Sequence, residues 1–348
     1  MSEIQDIEEL IIKLLQSNGR ETNSISINSL KRTGNNRTFY LEVDKEFFFA
    51  KCFFQDKNDL RDRFSSELAF IKYAQNAAPN FTPKIIYTDS ANRVAIYEYI
   101  DGKSLISNQI FENDLKNAAD FINQLNNKLS LSKAISLPLA SEACFSINEH
   151  LSLIQGRIEA LTNINQDDDE DVLAMKLVNQ INEIWINEIN KIHSICSLEN
   201  INMHEQLILT NRIVSPSDFG FHNCLKTEQG NLVFIDFEYA GWDDPAKMIG
   251  DFFGQIQVPV PQKYLHFFMD LIFTDYFDST QLKKRAELLL NAYRIKWACI
   301  ALNIFLPVNL DRRKFSNPEL NIVQLKKDQL QKAFNILQTF KNTASVLY

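Results

Sequence analysis

Glycine and proline are both scarce in this chain, with nine of each in 348 residues. So few turn-formers exclude a fold made of many short hairpins and favour long, helix-rich packing. The five cysteines, Cys52, Cys144, Cys196, Cys224 and Cys299, are scattered, and no Cys-x-x-Cys pair occurs. That excludes a disulfide framework or a zinc ribbon and fits a reducing, cytoplasmic setting. The five histidines, at 150, 193, 204, 222 and 266, are as dispersed, which speaks against a His/Cys metal centre. Basic charge is also short. Asp and Glu outnumber Lys and Arg by 44 to 36, for a net charge of −8, so the basic excess of a nucleic-acid binder is missing. No apolar stretch approaches the roughly 18 residues of a membrane span. The start, MSEIQDIEELIIKLLQ, has neither a basic leader nor a long apolar run, so it does not read as a signal peptide. Neither a nucleic acid nor a membrane is expected as a partner. Oligomeric state leaves no mark in the sequence.

What the chain has in abundance is phenylalanine, 26 residues, which reads as bulky core volume. Its length exceeds what one small core needs and points to two lobes. Ile4, Ile7, Leu10, Ile11 and Leu14 recur at helical spacing and predict a leading amphipathic helix. Three runs rich in β-formers follow, Ile25–Leu30, Thr38–Val43 and Phe47–Phe54, separated by Thr33-Gly34-Asn35-Asn36 and by Asp44-Lys45. Both separators carry turn chemistry, so an antiparallel meander is expected. Residues 58–77 have helical periodicity, with Leu60, Phe64, Leu68 and Ile71 on one face. Two short strands are expected near Lys84–Tyr87 and Arg93–Tyr99. Beyond residue 100 the pattern is mostly helical, over 110–130, 145–163, 170–196, 262–276, 280–305 and 320–341. The acidic run Asp167–Asp171 suits a helix N-terminus, where it opposes the positive end of the dipole.

Residues 213–240 break the helical pattern. A loop containing Ser215-Pro216-Ser217-Asp218 leads to Asn223 and a short strand, then a Gly-containing turn, then an apolar strand ending in Ile235-Asp236-Phe237-Glu238-Tyr239. A hairpin here brings Asp218, Asn223 and Asp236 together. One carboxylate is then free to meet a substrate hydroxyl, while an amide oxygen and a second carboxylate can hold a hard cation such as Mg²⁺. Phosphoryl transfer requires such positioning and charge neutralisation rather than covalent chemistry.

Asp-x-x-x-x-Asn, a short hairpin and Ile-Asp-Phe-Glu resemble the protein-kinase-like phosphotransferases, and most nearly the aminoglycoside phosphotransferase and choline kinase family. Tyr239-Ala240-Gly241-Trp242-Asp243-Asp244-Pro245 with Asp251 is similar to that family's continuation. The resemblance implies an α+β bilobal protein-kinase-like fold, with a small antiparallel-sheet N-lobe over residues 1–100 and a mostly helical C-lobe over 101–348 that carries the catalytic loop and the acceptor site. It implies an ATP- and Mg²⁺-dependent kinase acting on the hydroxyl of a small molecule. Asp218 would be the catalytic base or hydroxyl-orienting group, Asn223 and Asp236 would bind Mg²⁺, and Asp251 would brace the loop from behind. Lys51, in Phe-Phe-Ala-Lys-Cys on the third strand, would meet the α/β-phosphates and pair with Glu67 of the following helix. Gly34, Asn35 and Asn36 fall at the turn that would cover the phosphates. Glu98, Tyr99 and Ile100 fall at the crossover where backbone groups would meet adenine.

The chain departs from the family pattern in two places. Pro216 stands where the family carries a histidine two residues before the catalytic Asp, and the phosphate-covering turn has Gly34 as its only glycine. Both departures leave a nucleotide-binding scaffold without turnover as an alternative. The Ile235–Tyr239 segment makes choline or ethanolamine kinase activity another. Tyr239, Trp242, Phe252, Phe253, Tyr293 and Trp297 offer the aromatic faces a quaternary ammonium would need, although Tyr293 and Trp297 lie at the i, i+4 spacing of a core stripe. Lys296 and Arg294 on the same segment would suit an anionic acceptor instead. The sequence leaves the sign of the acceptor's charge open. His222 reads as a local partner of the hairpin backbone.

Overall fold

The computed structural model describes residues 3–30, 36–54, 61–274, 276, 278–317 and 319–344. Helix α1 (Glu3–Ser17) leads into strands β1 (Ile25–Leu30), β2 (Arg37–Val43) and β3 (Glu46–Cys52), then helix α2 (Arg63–Ala77) and strands β4 (Ile85–Asp89) and β5 (Val94–Glu98). These strands form one antiparallel sheet in the order β1-β2-β3-β5-β4. The β2–β3 turn is tight because Asp44 and Lys45 both take positive φ, 49° and 70°. That backbone twist matches the flanking strands of a two-residue hairpin. Ile7, Ile11, Leu14 and Leu15 of α1 pack against Phe39, Leu41, Phe48 and Ile96, so the leading helix covers one face of the sheet. The expected face of α2 is buried at Phe64, Leu68 and Ile71. The helix starts later than its periodicity predicts, because Asp62 caps it by accepting from the Ser65 N–H at 3.2 Å. Leu60 lies outside the described residues.

The rest of the chain contains strand β6 (Gly102–Ser104) and helices α3 (Glu112–Asn126), α4 (Lys128–Leu131), α5 (Ile147–Leu161) and α6 (Asp169–Leu198). Strands β7 (Ile213–Ser215), β8 (Cys224–Thr227), β9 (Leu232–Phe234) and β10 (Gly241–Asp243) follow, then helices α7 (Pro245–Gly254), α8 (Leu265–Ile272), α9 (Ser279–Leu302), α10 (Pro307–Ser316) and α11 (Ile322–Ala344). The acidic run serves the start of α6 as expected: Asp168 accepts from the Asp171 N–H at 2.8 Å. Lys326 of α11 closes on both carboxylates, at 2.8 and 2.6 Å.

The abundant phenylalanine forms a continuous aromatic core. Phe70 meets Phe237 at 4.7 Å, Phe121 meets Phe234 at 4.9 Å, Phe219 meets Phe252 at 5.0 Å, and Phe252 stacks on Phe268 at 4.5 Å between ring centroids. Phe252, Phe253 and Tyr293 are therefore core residues, and Trp242 donates its indole N–H to the Ala134 carbonyl at 3.1 Å. Every residue of helix α7 is buried, including Lys247 and Asp251 on its polar face. Its glycines let it approach α9 closely. A Cβ on Gly250 would lie 2.5 Å from the Tyr293 ring, and one on Gly254 2.8 Å from that of Trp297. Against the expectation that no apolar stretch approaches a membrane span, the segment Ser279–Phe305 is long and apolar enough to cross one, but 72% of its most apolar window is buried within this fold.

Candidate active site

The aromatic core sets the hairpin that carries Asp218, Asn223 and Asp236. Phe219, Phe221, Phe234 and Phe237 are buried and alternate with the polar residues of the segment, so anchoring the rings turns Asp218, His222, Asn223 and Asp236 the other way. Strand pairing of β8 with β9 sets Cys224 opposite Phe234. One step further on, the Ile235 N–H donates to the Asn223 carbonyl at 2.9 Å. Asn223 and Asp236 thus flank the open end of one hairpin. Asp236 is held at φ 66° and Ser217 at φ 65°, left-handed conformations that are costly for residues with a Cβ and concentrate at functional sites.

Three of the expected groups meet at a single ammonium. Lys51 Nζ lies 2.6 Å from Glu67 Oε2 and 2.6 Å from Asp236 Oδ1, with Glu238 Oε2 at 3.8 Å. Tyr97 OH donates to the other oxygen of Glu67 at 2.7 Å. Burial by itself would depress the Lys51 ammonium; Asp236, Glu67 and Glu238 outweigh it and raise its pKa above the ordinary lysine value. Glu67 is pushed up to about 6, by burial first and with Lys51 pulling the other way. Burial also raises Asp236, against the pull of Lys51.

Asp218 sits differently. Asn223 Nδ2 donates to its backbone carbonyl at 3.0 Å and to its carboxylate at 3.2 Å. His222 Nε2 meets the other carboxylate oxygen at 3.1 Å. His222 therefore turns to the carboxylate rather than to the hairpin backbone, because the short 3₁₀ turn Phe221–Asn223 folds residue 222 back over 218. Burial would raise the Asp218 carboxyl, but His222 and Asn223 outweigh it and hold it below its usual range.

Two cavities meet at this hairpin. One, of about 550 Å³, lies between the sheet and the helical lobe and is lined by Asn36, Lys51, Glu67, Glu98, Tyr99, Ile100, Asn223 and Asp236. The described residues expected at nucleotide and metal thus share one wall. Gly34 and Asn35 lie outside the described residues. Asn36 is tied down, donating to Glu238 at 2.5 Å and accepting from the Phe54 N–H at 3.0 Å. The Glu98 N–H is spent on the Lys84 carbonyl at 3.0 Å, which removes that donor from ligand recognition. The other cavity, of about 650 Å³, has Asp218 on its wall with residues from α5, α9, α10 and α11. Asn223 lines the first and Asp218 the second, so their hydrogen bond links the two walls.

Lys247, unlike Asp251, was not singled out in the sequence. Lys247 is buried and donates to Ser217 Oγ at 2.8 Å and to Asp243 at 2.7 Å, with Asp251 at 3.6 Å. Asp251 takes two bonds from Lys296, at 2.9 and 3.0 Å, and one from the Trp297 indole at 2.9 Å. The chain Asp251–Lys247–Ser217 thus reaches the residue before Asp218, from the side where Pro216 offers no side-chain donor. Its signal was in the sequence: Asp243, Lys247 and Asp251 follow one another at i, i+4. Arg294 bonds to Asn291 and Gln262 and is not on the Asp218 cavity, whereas Lys296 is.

Among the described residues no three carboxylate, imidazole or thiolate groups converge on a metal position. Asn223 and Asp236 suit a cation that takes few protein ligands. The Asn223 amide nitrogen is held by Asp218, which leaves its oxygen to coordinate, and Lys51 holds only one oxygen of Asp236. This two-oxygen set fits Mg²⁺, which keeps water and phosphate in most of its shell.

No protein-family model matches the sequence, and no curated protein matches it. Solved structures do. The chain is similar to choline kinase from Cryptosporidium parvum Iowa II, with 13% identity, 97% of each chain covered and a TM-score of 0.62. It is similar to a spectinomycin phosphotransferase solved with ADP and spectinomycin, with 12% identity, 95% of this chain and 98% of that one covered, and a TM-score of 0.63. Choline kinase LicA from Streptococcus pneumoniae matches at 14% identity, covering 96% of this chain and 99% of its own, with a TM-score of 0.57. The fold is therefore the bilobal kinase-like fold of these phosphotransferases, as the sequence resemblance implies.

Proposed function

We propose that this protein is an ATP- and Mg²⁺-dependent phosphotransferase that phosphorylates the hydroxyl of a small molecule. The observation that carries the reading is the pair of cavities whose walls the Asn223–Asp218 hydrogen bond links, one walled by Lys51, Glu67 and Asp236, the other opening on the Asp218 carboxylate. ATP would lie in the first, with Lys51 on its phosphates and Glu98–Ile100 beside adenine. The division of lobes would fall near residue 100, and the five buried free cysteines agree with a cytoplasmic setting.

In this reading the acceptor enters from the Asp218 side. Its oxygen bonds to the γ-phosphorus as the bond to the β–γ bridging oxygen breaks, ADP leaves with that electron pair, and the acceptor proton passes to the Asp218 carboxylate. A depressed carboxyl suits a group that orients the hydroxyl throughout and takes its proton late. His222 and Asn223 hold that carboxylate in one orientation. Asn223 and Asp236 would hold Mg²⁺, which when bound neutralises the phosphate charge. Ser217, Lys247 and Asp251 fix the loop.

The test is Mg²⁺-dependent ADP release with a pool of hydroxyl acceptors, comparing wild type with Asp236→Ala. Acceptor-stimulated release that needs Mg²⁺ and is lost in the variant upholds the reading. ATP binding without stimulated release across the pool favours the non-catalytic scaffold.

A further inference from the structure

The chemistry of the Asp218 cavity bears on what the acceptor is. Among the described residues, four cationic side chains line it, Arg61, Arg157, Lys296 and Arg313, against the carboxylates of Glu142, Asp251 and Asp218. The two carboxylates other than Asp218 are already engaged. Glu142 bonds to Arg157 and has Lys296 at 3.8 Å. Burial would raise its carboxyl, but Lys296 and Arg157 outweigh burial and bring it to about 2. Asp251 is held by Lys296, by the Trp297 indole and, from behind, by Lys247. Neither has charge to spare for a cationic ligand.

Among the described residues an aromatic cage is also missing from this wall. Its rings are Tyr239 and Trp297. Arg61 and Arg63 each stand 5.6 Å from the Tyr239 centroid, so cations of the protein already use that ring. Trp297 gives its N–H to Asp251 and meets the His222 ring edge to face at 6.1 Å. A quaternary ammonium would find positive charge where it needs aromatic faces.

Arg157 points the other way. It gives one terminal N–H to Glu142, its Nε is buried with no hydrogen-bond partner, and its side chain, 20% exposed, lies on the cavity wall. A partly desolvated guanidinium with unspent donors gains most from a further anionic oxygen. Arg313, on α10, and Arg61, beside α2, add positive charge around the same space.

We infer that the acceptor is a hydroxyl compound carrying a carboxylate or phosphate, recognised by Arg157 with Arg61 and Arg313. This rests on the phosphotransferase reading. The acceptor's anion lies against the arginines while its hydroxyl meets Asp218. Amino alcohols and aminoglycosides are disfavoured by the same charges.

The experiment measures ADP release with matched acceptors: sugar phosphates and sugar acids, their neutral parent sugars, and choline, ethanolamine and aminoglycosides. The expected result is that an anionic acceptor has the highest kcat/KM. Arg157→Met and, separately, Arg313→Gln should each raise its KM about tenfold or more and leave KM for ATP unchanged. The second variant keeps the test decisive if the first, which breaks the Glu142 pair, fails to fold. Preference for a cationic or neutral acceptor overturns the inference and leaves the phosphotransferase reading standing. Stimulated release with none of the three classes, while ATP still binds, removes both.

Discussion

Lys51 Nζ donates to Asp236 Oδ1 at 2.6 Å across 185 positions of sequence. The bond joins the third strand of the sheet to the end of the hairpin that carries Asp218, on the wall of the cavity both residues line. The same ammonium serves Glu67 and faces Glu238, so its removal leaves carboxylates mutually repelling. Lys51→Met should cost on the order of 3 kcal/mol of stability, at the low end for a broken buried pair, because Asp236 keeps 41% of its side chain exposed. Chemical denaturation should also show a larger Mg²⁺-induced gain in stability for the variant than for wild type. Equal stability of the two proteins without Mg²⁺ would contradict this.

Ser217 accepts from the buried Lys247 and holds a left-handed φ immediately before Asp218. Ser217→Ala keeps the Cβ and removes the acceptor, leaving Lys247 one partner short, at about 1–3 kcal/mol. The expected outcome is lower kcat with unchanged ATP affinity, measured by steady-state kinetics and calorimetry. A kcat equal to wild type would show that the brace does not reach Asp218.

Asp244 is buried between Arg285, at 2.7 and 2.8 Å, and His150, at 3.1 Å. Burial would raise its carboxyl, but Arg285 first and then His150 bring it from 3.8 to about 2. A depressed folded-state pKa stabilises above the unfolded value and loses that contribution as pH falls through the folded one. The group therefore contributes about 2 kcal/mol at neutral pH, lost between about pH 4 and pH 2. Denaturation across that range should show the gap between wild type and Asp244→Asn narrowing as pH falls; a gap independent of pH would contradict the assignment.

Gly156 lies inside α5 on the wall of the Asp218 cavity, and a Cβ built there meets nothing within 4 Å. Gly156→Ala should stabilise the protein by about 0.5–1 kcal/mol. Gly156→Phe should fill the cavity and raise the acceptor KM while sparing ATP binding. An unchanged acceptor KM in the Phe variant would place the acceptor elsewhere.

Much of the fold was legible because its signals are local. The Asp44-Lys45 turn, the alternation around Lys51 and the apolar face of α2 each follow from a few adjacent residues. So did Asp218, Asn223 and Asp236, which one hairpin collects. Helix α7 was missed because it is only ten residues long and its polar face, Lys247 and Asp251, is as buried as its apolar one; its two glycines seat it against Tyr293 and Trp297. Helix α10 begins at Pro307 and is strongly charged, so it lacked the apolar stripe that marks a helix. The arginines of the Asp218 cavity come from separate elements, and only tertiary packing brings them together.

The most direct test of the account is single-turnover phosphate transfer by Asp218→Asn, with ATP binding measured in parallel. The substitution keeps the size and the hydrogen bond to Asn223 and removes the proton acceptor. ATP affinity near wild type with transfer slowed by about 10²–10⁴ is the predicted result. Transfer at the wild-type rate would contradict the role assigned to Asp218 and with it the division of labour between the two cavities.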